Sequence, residues 1–273
     1  MKKGCILAVM LAFISCKDTT TPTPPETPNT AVERVSIEDA GSPVSTEKKV
    51  INKEEYLQVD VLLPMFYDKE FYGEEVSKID RSWMGLFETK GQFQVRKVAY
   101  ALEEELNECT ESIVIGVFAK EEVQPLFFLS ETTAIGKGKK ESLTLSKTPL
   151  WANTPQEYVF KGKTYVLRAE GKETSAYLYT DDEEVEKTFK QFENYKLYLS
   201  IDGNEEQLLL DIPHFNDTFV QLLFVGDLDE DGKLDFIFDT SADYEQKRVE
   251  IYLSKDAKHN AYLAGTTTVD FAC

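Results

Sequence analysis

Phe219-Val220-Gln221-Leu222-Leu223-Phe224-Val225-Gly226-Asp227-Leu228-Asp229-Glu230-Asp231-Gly232-Lys233-Leu234-Asp235-Phe236-Ile237-Phe238-Asp239 reads as two apolar runs joined by an acidic turn. The upstream run, 219–225, is rich in β-formers. The downstream run, 234–239, alternates so that Phe236 and Phe238 share one face. The segment 219–239 is therefore a β-hairpin, and its turn carries Asp227, Asp229, Asp231 and Asp235 at loop positions 1, 3, 5 and 9. A hard cation such as Ca²⁺ takes six to eight oxygens, and carboxylates at this spacing supply most of them. The backbone carbonyl at position 7, Lys233, would add another. Gly232 marks the tight part of the turn. An EF-hand is excluded: its loop lies between helices and ends in a bidentate Glu at position 12, where this chain has Phe238. The competing reading is a solvated acidic turn that binds nothing. Mutual repulsion of four crowded carboxylates weighs against it.

The string GDLDEDGKLDFIFD, residues 226–239, resembles the acidic loop of FG-GAP and VCBS-type repeats. The resemblance implies a calcium ion held between β-strands by Asp227, Asp229, Asp231, Lys233 and Asp235. No second Asp-x-Asp-x-Asp-Gly occurs in the chain, so the tandem repetition behind a multi-bladed propeller is missing. The loop implies Ca²⁺ as the cofactor, at an affinity in the ~0.1–1 mM range of extracellular modules, and a structural role before a ligand-presenting one.

The N-terminus gives the address. Met1-Lys2-Lys3 is a positive start, and Ile6 to Ile14 is an apolar stretch too short to cross a bilayer as a helix. Leu11-Ala12-Phe13-Ile14-Ser15-Cys16 resembles a bacterial lipobox, with Phe13 where leucine is commoner. That resemblance implies residues 1–15 as a signal peptide and Cys16 as the lipidated mature N-terminus, with membrane attachment through the anchor. The competing reading is an ordinary signal peptide cut elsewhere. Residues 16–50 follow as a disordered tether, extended where Thr/Pro-rich from Thr19 to Pro28. Lys17-Asp18 is similar to surface-export signals of Bacteroidota lipoproteins. The location expected is a Gram-negative cell envelope, at the outer membrane.

Composition sets further bounds. A 42% hydrophobic and 12% aromatic chain can build a core, so residues 51–273 are expected to fold. Removing the signal peptide takes away two lysines and no acid, so the formal charge moves from −19 to −21. That charge excludes nucleic acid as a partner. Of four cysteines, Cys5 leaves with the signal and Cys16 is consumed by lipid. Cys109 and Cys273 remain, and outside the cytoplasm they are expected to pair.

Strand signals dominate the rest: 92–98, 113–118, 124–129, 143–145, 164–168, 195–201, 207–212, 248–253 and 266–272. Lys161-Gly162 and Asp202-Gly203 read as hairpin turns. Helices are expected at 53–63 and 183–192, while 99–108 is ambiguous. The fold class expected is mainly β, an antiparallel sandwich or open barrel of short strands with a few short helices.

No catalytic constellation emerges. His214 and His259 have no nucleophile motif near them, and there is no G-x-S-x-G or H-E-x-x-H. Gly136 to Lys140 reads as a basic hairpin tip. The reading is a non-enzymatic envelope lipoprotein whose calcium-stabilised β domain serves interaction or structural support, with an envelope protein or a glycan as partner. The alternative is a calcium-assisted glycan-binding module using Trp83 and the aromatics of 66–72, such as Tyr67 and Tyr72. Burial of those rings in the core is the simpler expectation.

Overall fold

The computed structural model describes residues 58–145, 149–180, 186–255 and 257–271. In chain order the elements are β1 (Val59–Leu62), β2 (Phe66–Asp68), α1 (Lys69–Ser77), β3 (Met84–Thr89), β4 (Gln92–Lys97), β5 (Tyr100–Asn107), β6 (Ser112–Ala119), β7 (Phe127–Leu129) and β8 (Gly138–Ser142). Then come β9 (Gln156–Phe160), β10 (Lys163–Thr180), β11 (Glu186–Ile201), β12 (Gln207–His214), β13 (Gln221–Asp227), β14 (Asp235–Asp239), β15 (Gln246–Leu253) and β16 (Tyr262–Asp270). The fold is mainly β, as the alternating patterns require.

Nine strands close into a barrel in the order β1-β16-β15-β14-β13-β8-β4-β3-β7, with β7 returning to β1. A closed ring with an odd number of strands cannot alternate direction everywhere. One neighbouring pair must run parallel, and that pair is β1–β16. The expected sandwich or open barrel is thus a closed barrel, and closure removes the free edges that an open sheet would leave. A four-stranded sheet, β12-β11-β10-β9, and a three-stranded sheet, β2-β6-β5, complete the fold.

Strands β13 to β16 separate two cores. Phe224, Ile237, Val249, Ile251 and Leu253 join Met84, Leu86, Phe93 and Val95 in the first, which extends to Tyr67, Val76 and Val117 of the three-stranded sheet and α1. On the opposite face of the same strands, Phe236, Phe238, Tyr252 and Leu263 pack with Tyr165, Leu167, Tyr195, Leu197 and Leu210 of the four-stranded sheet. This is why all five residues of β14 are buried and why its apolar run is nearly unbroken.

Four sequence expectations are corrected. The helix expected over 53–63 is, within the described residues, strand β1, whose two edges complete the barrel. The helix expected at 183–192 is the start of β11 from Glu186 onward, where Tyr177 pairs with Phe189 and Ser175 with Gln191. There cross-strand pairing outweighs a helical spacing of apolar residues. Gly136–Lys140 is no hairpin tip: from Gly138 it forms β8, which bridges β4 and β13. The helix α1 is not marked by apolar periodicity; Asp68 caps it, its carboxylate accepting from the Glu70 N–H. Residues 143–145 lie just beyond β8 and form no strand.

Candidate metal centre

The acidic loop joins β13 to β14 at one end of the barrel, as the hairpin reading requires. Gly226 is the last residue before it, packed against β8. A Cβ there would lie 2.4 Å from the Glu141 carbonyl oxygen and 2.7 Å from the Ser142 Cα. Only glycine lets the two strands approach this closely. Within the loop, Glu230 (φ +64°) and Gly232 (φ +87°) take left-handed backbone conformations that fold the aspartates inward. Leu228 and Leu234 are fully buried and pin the loop to the body of the domain.

Asp227, Asp229 and Asp235 converge: one carboxylate oxygen from each lies within 4.8 Å of the others. All three are nearly inaccessible, at 6%, 4% and 0% exposure. Among the described residues this is the group of acidic, histidine or cysteine side chains arranged to hold a metal ion. Backbone amides orient it. Asp235 Oδ2 accepts from the N–H groups of Leu228 (2.6 Å) and Asp229 (3.1 Å), and Oδ1 accepts from Ser254 N–H (2.8 Å). Asp229 accepts from Asp231 N–H and Lys255 N–H. Asp227 Oδ2 accepts from Gly232 N–H (2.9 Å) and from the Lys161 ammonium (3.0 Å). Asp227 Oδ1 is buried and has no hydrogen-bond partner. A buried carboxylate oxygen without a donor is costly, and a bound cation is the chemistry that would satisfy it.

The electrostatics agree. Burial, with the charge of Asp229 next in size, pushes the Asp235 carboxyl up to about 8. Burial also raises Asp229, and the charges of Asp231 and Asp227 add to the effect. Carboxyls this crowded hold protons unless a positive charge replaces them.

One expected ligand side chain does not join the converging group. Asp231 is outside the triad: its Oδ1 accepts from Lys233 N–H (2.8 Å) and Ser254 Oγ (3.0 Å), and its Oδ2 from the Lys233 ammonium (2.8 Å). Partial burial opposes ionisation of Asp231, yet these donors together hold its carboxyl below the usual range. Lys233, whose carbonyl is the expected ligand, donates to Asp231 through its N–H and ammonium, which does not bear on that carbonyl. An i, i+2 pair of opposite charge with donors nearby satisfies Asp231 locally. Spacing arguments missed Ser254, Lys255 and Lys161, because each reaches the loop from another part of the chain. They also missed Lys140, whose side chain is fully buried and whose ammonium lies 2.8 Å from Glu230 Oε1.

Cys109, in the β5–β6 turn, is disulfide-bonded; Cys273, with which the sequence pairs it, lies outside the described residues, as does Cys16 with the expected signal peptide and tether. Trp83 and Tyr67 are buried in the first core, and the Tyr67 hydroxyl is tied to the Leu63 backbone. Tyr72 packs against the same core, its hydroxyl accepting from Asp270 N–H. These three rings form no exposed platform, whereas Phe66 and Phe71 of the same run are exposed. His214 and His259 are exposed.

The fold and loop thus define a closed β-barrel with a buried three-aspartate centre suited to a cation. No family model, curated protein or solved structure matches the chain.

Proposed function

We propose that this chain is a non-enzymatic lipoprotein of a bacterial cell envelope, whose β domain is stabilised by calcium in the β13–β14 loop and serves interaction or structural support. The observation that carries the metal reading is the buried Asp227–Asp229–Asp235 triad, in which one Asp227 oxygen has no protein donor. Calcium is the preferred ion because the donors are all oxygens and the loop contributes carboxylates at alternating positions. The lipid anchor rests on the lipobox-like residues 11–16. A glycan platform made of Trp83, Tyr67 and Tyr72 has no support, since these rings pack in or against the core.

Thermal unfolding in EDTA and in millimolar Ca²⁺ tests the reading. An ion that binds only the folded chain raises its stability by ~1.4 kcal/mol when present at about tenfold its dissociation constant. The parent is expected to show that rise, and Asp229→Ala to lack it. Equal stabilisation by Mg²⁺ would sink the choice of calcium, and no shift with either ion would remove the metal centre.

A further inference from the structure

We propose that Lys161 is a built-in counter-cation of the acidic loop, which sets its affinity for the metal and supports the metal-free fold. The inference rests on the calcium reading and adds a residue that the loop sequence does not contain. Lys161 belongs to the β9–β10 turn of the four-stranded sheet, whereas the loop belongs to the barrel. Its ammonium lies 3.0 Å from Asp227 Oδ2 and 3.0 Å from Glu141 Oε2. It also sits 4.8 Å from the centroid of the Phe160 ring. Among the described residues, it is the one ammonium hydrogen-bonded to a member of the triad. The neighbouring ammonium groups of Lys233 and Lys140 are held by Asp231 and Glu230, and Lys255 donates its backbone N–H.

The β9–β10 turn is of the same Lys-Gly type as the β3–β4 turn, where Lys90 has φ +53° and Gly91 φ +77°. Lys161 has φ +46° and Gly162 φ +80°, a two-residue hairpin in which asparagine or aspartate is strongly preferred at the first position. What sets Lys161 apart from Lys90 is its reach: its side chain contacts Asp227 of the metal loop. In the metal-free protein, three carboxylates share a small buried space, and the ammonium offsets one of their charges at Asp227 Oδ2. It leaves Asp227 Oδ1 unpaired, so the site keeps an oxygen for a cation. A dication entering there meets a like charge already on the same carboxylate. The same contact that steadies the metal-free loop must, by linkage, weaken metal binding.

The test is calcium titration by calorimetry and thermal unfolding in EDTA, on the full chain. Three variants are compared with the parent: Lys161→Asn, which removes the charge and suits the turn, Lys161→Gln as a second charge-free variant, and Lys161→Arg. Loss of one partly exposed charge at contact distance from a buried carboxylate is expected to tighten calcium binding by about tenfold. The charge-free variants should also unfold at lower temperature in EDTA, although asparagine favours the turn. Lys161→Arg should track the parent. A variant that folds only with calcium present supports the same conclusion. Unchanged or weaker calcium binding in the charge-free variants, with a parent that binds, overturns the role of Lys161 and leaves the metal centre standing. Absence of calcium binding in every chain overturns both.

Discussion

Asp235 shows at the scale of one residue how the loop couples metal to protonation. Its folded-state carboxyl is raised from 3.8 to about 8 by burial first and by Asp229 second. A folded-state value above the unfolded one means that the folded chain binds the proton more tightly. That stabilisation is complete below about pH 4 and is lost as pH rises toward 8. Carboxylates such as Glu206, whose partner Arg168 lowers it, act at acidic pH and leave the window above pH 5.5 to the raised group. The metal-free chain is therefore expected to lose stability between pH 5.5 and 8. Calcium needs the deprotonated carboxylate, so its stabilising effect should grow across the same window. Unfolding midpoints in EDTA and in calcium at several pH values check this; a metal-free midpoint that climbs toward pH 8 would refute it. Asp231 gives the contrasting lesson. Its position in the spacing marks it as a ligand, and in the metal-free chain its oxygens accept from Lys233 and from the sequence-distant Ser254.

At the scale of the element, the β13–β14 hairpin is legible in the chain because two apolar runs flank a glycine-containing acidic turn. What spacing does not convey is how tightly β8 lies against it. Gly226→Ala would drive a methyl group into the backbone of Glu141 and Ser142, at 2.4 and 2.7 Å. Relief requires strand separation next to Asp227. A cost of about 1–3 kcal/mol is expected, together with a weaker calcium response. Denaturant midpoints with and without calcium measure both, and a neutral substitution would show that β8 yields freely. Lys140 carries a second element-scale prediction. Glu230→Ala leaves its fully buried ammonium without that partner, at a cost of about 1–3 kcal/mol. The exposed pair Lys137–Glu131 is the control, and Glu131→Ala should be far milder. Equal effects of the two substitutions would deny Lys140 a structural role.

At the scale of the whole molecule, β13 to β16 are walls of both cores, so neither core can open while the other stays intact. The two tryptophans report on this separately. Trp83 lies in the first core, and Trp151 packs 4.5 Å, centroid to centroid, from Phe219 beside the second. Single-tryptophan chains, Trp83→Phe and Trp151→Phe, are expected to give coincident fluorescence transitions in denaturant. Two separated midpoints would mean that the four-stranded sheet unfolds alone. The disulfide at Cys109 adds a constraint on the same scale. The Tyr72 side chain of α1 binds Asp270, and Lys69 of the same helix pairs with Glu104 of β5. The end of β16 and the β5–β6 hairpin thus meet on one helix, which supports a Cys109–Cys273 bond. Peptide mapping without reductant should find that link, and reduction should lower stability by up to ~5 kcal/mol for so long a loop. A different partner for Cys109 would displace the pairing.

Residue type and spacing by themselves determined the mainly-β class, the hairpin at 219–239, the Lys161-Gly162 and Asp202-Gly203 turns and three of the carboxylates that converge. These are local properties: alternation, turn chemistry and loop spacing act over a few residues. Barrel closure, the parallel β1–β16 pair, the strand at 186–192 and the convergence of Asp227, Asp229 and Asp235 in a buried group were decided only by tertiary structure. So were Lys161 and Lys140, which come from strands and turns remote in the chain. Long-range pairing and burial depend on which surfaces meet, and a linear pattern carries no record of those meetings.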